Sequence, residues 1–159
     1  MLRDMPAKRG QVRNEEVYSQ IIDWSGVRYK KITCTDIDRA MCLMDMSISG
    51  SIDIQGKLFI LIDVKGEDVP FENGGQKWHY EALINNLNKP AYAIIASHNT
   101  PLGQEIPAHE CVVEQCYHGK KMGWRKPKSY TELKEAIDRI LIKHGFADYV
   151  DQQFKKGMQ

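Results

Sequence analysis

The chain lacks most of the features that place a protein at sight. It has no C-x-x-C pair among its four cysteines, Cys34, Cys42, Cys111 and Cys116. Nothing therefore points to an oxidising compartment, and reduced thiols in a cytoplasm are the expectation, the host cytoplasm if the chain is phage-encoded. It has no long apolar run: Leu58 to Ile62 and Ala91 to Ala96 fall far short of the roughly 20 residues that cross a bilayer as a helix. Met1 to Arg13 is polar and basic and reads as a frayed arm rather than a secretory signal. Charge of either sign is not in excess, with 22 Lys and Arg against 21 Asp and Glu, so any contact with a polyanion has to come from local clusters. Repeats, low-complexity linkers and shifts of composition are missing too. One domain over 14–150 is expected, between an arm at 1–13 and a tail at 151–159.

What is present is an ordinary globular composition, 42% hydrophobic and 27% charged over 159 residues, enough for one core. Asn14 is a good N-cap, and a first helix is predicted from there to about Trp24, with Gly26 stopping it. Val27 to about Asp38 reads as extended chain. Arg39 to Ser51 is illegible. Gln55-Gly56-Lys57 is a turn signal, and Leu58 to Val64 follows as an apolar strand of the kind buried at the centre of a sheet. After a loop at Pro70 to Gly75, Tyr80, Leu83, Ile84 and Leu87 recur at helical spacing within a helix from Gln76 to Asn88. Ala91 to Ser97 and Cys111 to Tyr117 are further strands. In the last helix Leu133, Ala136, Ile137, Ile140 and Leu141 line one face, Ser129 and Glu132 form a capping box, and Gly145 ends it. The order predicts an α/β fold, a mixed sheet with helices on its faces.

Chemistry concentrates at the end of the apolar strand. Alternation puts Asp63 and Lys65 on one face of it, side by side. Charges there must pair, bind an ion or reach water, because burying either alone is costly. A plain ion pair at a strand end is the bland reading. A second acidic pair precedes it: Thr35-Asp36-Ile37-Asp38 carries two carboxylates on one face, though a turn or helix cap would suit them as well. If the two segments are neighbours, Asp38 and Asp63 converge on one divalent cation. Oxygen donors without nearby His or thiolate favour Mg²⁺ or Mn²⁺. Lys65 would then orient the attacking water or stabilise charge on a phosphate. Gln76 and Tyr80, one helical turn apart, place an amide and a phenol close after the same strand.

Together T-D-I-D, I-D-V-K and G-Q-K-W-H-Y resemble the signature of the PD-(D/E)XK nuclease superfamily. The likeness is to its RecB-type branch and to small phage-encoded nucleases, and it covers about Thr33 to Ser97. The resemblance implies a restriction-endonuclease-like fold and hydrolysis of DNA by water activated at one or two divalent cations. It makes Asp38 the first metal ligand, Asp63 the second and the backbone carbonyl of Val64 a third. Lys65 becomes the catalytic lysine, with Gln76 and Tyr80 as the accessory pair. Asp36 is a weaker ligand candidate, and Glu15 or Glu16 on the first helix corresponds to a further one. Twenty-four residues separate Asp38 from Asp63, which leaves Asp53 as the alternative first ligand. Asp38 is preferred because a tight hairpin at Gly56 would pair Asp53 near Lys57 instead.

The basic clusters Arg28, Lys30, Lys31 and Lys120, Lys121, Arg125, Lys126, Lys128 are candidate DNA contacts, or simply solvated surface. Trp124 either stacks on a base or packs on the core. His109, Cys111, Cys116 and His118 follow no common zinc spacing and read as buried or loop residues. The rival functions are a catalytically inactive nuclease-like protein that binds DNA or a protein partner, and a resolvase acting on branched DNA as a homodimer.

Overall fold

The computed structural model describes residues 22–27, 50–67 and 74–150, without the side chains of residues 74–76. The apolar run forms β3, Leu58–Gly66. It is covered on both faces, as an uninterrupted apolar run demands. Gln55, Gly56 and Lys57 make the turn before it, with Gly56 at φ +70°, the left-handed conformation that a three-residue hairpin loop asks of glycine. The strand on the far side of that turn is β2, Gly50–Ile54, antiparallel to β3 with Ile54 opposite Leu58 and Gly50 opposite Ile62.

Helix α1, Gly74–Asn86, carries the chain back so that β4, Ala91–His98, lies parallel to β3. The next sheet strand, β6 (Val112–Tyr117), runs antiparallel to β4, and β7 (Trp124–Arg125) is the last strand on that side among the described residues. The order across the sheet is β2-β3-β4-β6-β7, mixed in direction. A two-residue strand β1, Ile22–Asp23, pairs in parallel with β5, Ile106–Pro107. Helix α2 spans Leu133–Lys143. No helix among the described residues is long and apolar enough to cross a membrane.

The alternation along β3 divides the core. Leu58, Ile60 and Ile62 join Tyr92, Ile94 and Val113 under Leu133, Ile137 and Leu141 of α2. On the other face, Leu61, Ala91, Ala93 and Tyr117 pack under Tyr80 and Ile84 of α1. The α1 layer is the smaller, and it is the one that reaches Asp63.

Two expectations are corrected, and one strand is added. The helix predicted to reach Trp24 does not do so, because Ile22–Asp23 is extended and Ser25–Val27 is a single 3₁₀ turn. Pairing with Ile106–Pro107 and burial of Trp24 and Val27 in the larger core override the local helical pattern; residues 14–21 lie outside the described residues. The capping box is absent. Glu132 is the N-cap of α2 and makes no side-chain cap bond, since the chain before the helix is bound to β6 instead. Val113 N–H donates to Thr131 O at 2.9 Å, Leu133 N–H donates to Cys111 O at 2.7 Å, and Val112 bridges Glu132. Finally, β7 was not foreseen; its two residues are held by pairing with Cys116 and Tyr117.

Candidate functional site

Asp63 is a carboxylate with 0% exposure in the second half of β3, an interior strand of the sheet. Two groups reach its Oδ2. The hydroxyl of Tyr80, itself fully buried, donates to it at 2.7 Å, and the Lys65 ammonium stands 3.5 Å away. Strand alternation supplies Lys65, two residues on along the same face, and the crossover supplies Tyr80, because α1 must pass over this face to start β4. Lys65 keeps 15% of its side chain exposed. Its ammonium thus links the buried carboxylate to the solvent-facing end of the sheet. Gln76 lies in the first turn of α1, one turn before Tyr80; its side chain is outside the described residues.

The same face continues onto β4 and β6. Ser97 sits beside Lys65 in the parallel register, and its hydroxyl donates to Glu114 Oε1 at 2.6 Å. The register between β4 and β6 slips at Ile95/Ala96, with Ile95 opposite Gln115 and Ala96 opposite Val113. Glu114 is the extra residue, and such a bulge re-aims a side chain. Sequence reasoning missed Ser97 and Glu114, and the slip leaves no mark in composition or periodicity that would have pointed to them.

The other predicted ligands fall as follows. Asp53 is opposite Phe59, four residues before Asp63 on the strand, and its carboxylate binds Lys89 at 2.7 Å. Four residues of strand amount to about 13 Å, so Asp53 does not meet Asp63, and its reading as the alternative first ligand is corrected. Asp36, Asp38, Glu15 and Glu16 lie outside the described residues, as do Arg28, Lys30 and Lys31. The β2–β3 pairing is described only as far as Gly50 opposite Ile62, one step short of Asp63. Among the described residues no three His, Cys, Asp or Glu side chains are placed to hold a metal ion. Asp63, all-oxygen in its chemistry and next to the Val64 carbonyl, suits a hard cation but needs a second carboxylate from elsewhere.

His109, Cys111, Cys116 and His118 go to separate partners. The His109 ring packs on Gly26. The Cys111 thiol donates to Pro107 O, and burial with the nearby Glu110 charge pushes it up to about 12. Burial likewise pushes Cys116 up to about 12. His118 stacks on Tyr92 with centroids 3.9 Å apart and donates from Nδ1 to Ala91 O at 2.8 Å.

Two surfaces of opposite sign flank the site. Among the described residues, a cleft of about 550 Å³ at the ends of β3 and β4 is lined by Glu67, Glu110, Glu114 and Glu132, with His98 among them and no lysine or arginine. His98 accepts the Thr100 N–H at Nδ1, 3.1 Å away, which places its own proton on Nε2. Burial holds its pKa below the ordinary histidine value. At the β7 edge of the sheet, Lys120, Lys121, Arg125, Lys126 and Lys128 are all exposed. A phosphate backbone is repelled by the first surface and attracted by the second. Comparison with protein-family models, with curated proteins and with solved structures finds no match to this chain.

Proposed function

We propose that the protein is a metal-dependent nuclease that hydrolyses DNA phosphodiester bonds on a restriction-endonuclease-like form of the α/β fold. The observation that carries the reading is the state of Asp63: a carboxylate with 0% exposure, engaged by a tyrosine hydroxyl and an ammonium on one oxygen, near the end of an otherwise apolar interior strand. Burying such a pair among apolar residues rarely repays its desolvation in stability alone, so the arrangement favours a chemical use for it. The T-D-I-D, I-D-V-K and Q-x-x-x-Y elements in the sequence support the same reading.

Asp63 would hold Mg²⁺ or Mn²⁺ together with Asp38 and the Val64 carbonyl. A divalent ion held there supplies an activated water and neutralises the scissile phosphate. Tyr80 fixes the rotamer of Asp63 and satisfies part of its hydrogen-bonding capacity, leaving its geometry set before substrate arrives. Lys65 stands where its cation can steady the nucleophile or the charge that develops on the phosphate. The basic edge around β7 would bind the substrate's backbone, Gln76 would orient water or phosphate, and the partner is DNA.

The test is incubation of the purified protein with circular and linear DNA, single- and double-stranded, with Mg²⁺, Mn²⁺ or EDTA. Cutting that needs the metal supports the reading, and the comparison of circles with linear ends separates endonuclease from exonuclease action. A folded protein that cuts none of these substrates would instead be a nuclease-like DNA-binding or partner-binding protein.

A further inference from the structure

Resting on the nuclease reading for its choice of polyanion, we propose that the outer flank of α1 and the β6–β7 hairpin form a track for single-stranded DNA, with Trp78 stacking on an unpaired base.

Trp78 is 63% exposed, which is unusual for the residue with the most apolar surface to lose to water. Its ring meets His79 edge-on, with centroids 5.1 Å apart. Helical rotation of about 100° per residue puts Trp78 some 60° from Glu81 around α1. The Glu81 carboxylate accepts the Trp124 indole N–H at 2.8 Å, and the Lys77 ammonium stands 5.5 Å over the Trp124 ring. Trp78 therefore lies on the outer face of α1, about a sixth of a turn from the side on which Glu81 and Lys77 meet Trp124 of β7. Trp124 is half-buried and packs 5.2 Å from Tyr117, so it is a wall of the track rather than its stacking surface.

From Trp124 the track continues along the hairpin. Residues 118–128 carry five cations, Lys120, Lys121, Arg125, Lys126 and Lys128, and no carboxylate. An exposed indole set among cations is the arrangement that binds unpaired nucleic acid, the cations following the backbone and the ring taking a base face. A duplex keeps its base faces stacked inside, and would offer Trp78 only sugar and phosphate. The acidic cleft at the ends of β3 and β4 confines a polyanion to the β7 side. Tyr80, two residues from Trp78, holds Asp63 at 2.7 Å, so the same helix both receives the strand and orders the carboxylate.

The experiment is fluorescence anisotropy of labelled oligo(dT) and of a blunt duplex of equal length, in EDTA so that binding is read without cutting. The wild type is expected to bind oligo(dT) more tightly than duplex. Trp78→Ala is expected to weaken oligo(dT) binding by about 5- to 150-fold, the range for loss of one base–aromatic stack, and to leave duplex binding unchanged. Trp78→Phe keeps most of the affinity. Lys126→Ala flattens the salt dependence and keeps the preference for the single strand. The proposal is overturned if the wild type shows no such preference, if Trp78→Ala binds oligo(dT) like the wild type, or if polyglutamate competes as well as DNA. Cleavage assays decide the nuclease reading separately: a protein that cuts duplex DNA but fails this binding test refutes the track alone.

Discussion

Removing one oxygen atom, in Tyr80→Phe, isolates the contact on which the site depends. The ring stays and its packing with Leu61, Ile84 and Ala93 stays with it, so no cavity term enters. What is lost is an O–H to carboxylate hydrogen bond of 2.7 Å between two groups with 0% exposure. Such charge-assisted bonds contribute about 1.5–3 kcal/mol. With water unable to take the hydroxyl's place, the full range applies. In a domain of this size each kcal/mol moves the melting temperature by about 2–4 °C, so Tyr80→Phe should melt about 3–12 °C below the wild type. Urea denaturation should show a lower midpoint at an unchanged slope. Asp63→Asn completes a double-mutant cycle, in which the two changes should couple by at least about 1 kcal/mol because they share one bond. Equal stability of Tyr80→Phe and wild type, or strict additivity in the cycle, would refute the reasoning.

Three further outcomes are expected. Asp38→Ala should abolish cutting, whereas Asp53→Ala should leave it within a few fold of wild type, since Asp53 lies opposite Phe59 and binds Lys89; the reverse pattern, read by plasmid digestion, would reassign the ligand. Gly26→Ala would bring a Cβ within 2.2 Å of His109 Nδ1 and 2.7 Å of its Cβ, costing about 1–3 kcal/mol by overpacking; thermal melts should show the cost largely removed in a His109→Ala background. Burial, then the charges of His118 and Lys143, hold the pKa of His144 below its ordinary 6.5, and burial does the same for His98. The unfolded chain thus takes up these protons more readily, so this stabilisation is complete above about pH 6.5 and is lost as pH falls further. The melting temperature should drop between pH 7.5 and 5, and less steeply in His144→Gln.

The central sheet was legible because its signals are local. The apolar run from Leu58 to Ile62, set off by the turn at Gly56, reads as a strand buried on both faces, and Tyr80, Leu83 and Ile84 fix α1 by their spacing. Asp63 and Lys65 could be placed on one face from alternation alone. The hydrogen bond from Tyr80 could not, since it depends on where the crossover sets α1 against β3. Features created by long-range pairing were likewise hidden. Ile22–Asp23 is a strand only because Ile106–Pro107 lies beside it, and Ser129 loses the cap of α2 because Thr131 and Glu132 are drawn onto β6. Glu114 reaches Ser97 through a slip in register that one extra residue causes. The basic residues near β7 were visible as a cluster, but their neighbour Trp78 was not, because the spacing within α1 alone does not say which flank the sheet leaves open.

The most direct test of the account is the single-turnover rate of DNA cleavage, with Mg²⁺ or Mn²⁺, by the wild type and by Lys65→Ala, both checked for folding by circular dichroism. Lys65 is partly exposed and two residues from Asp63, so its removal should leave the fold standing. It should slow cleavage by about 10²-fold or more, the usual loss when one positioned charge is taken from a transition state. A wild type that never cuts, or a Lys65→Ala protein that cuts at the wild-type rate, would contradict the claim that this strand end is a catalytic centre.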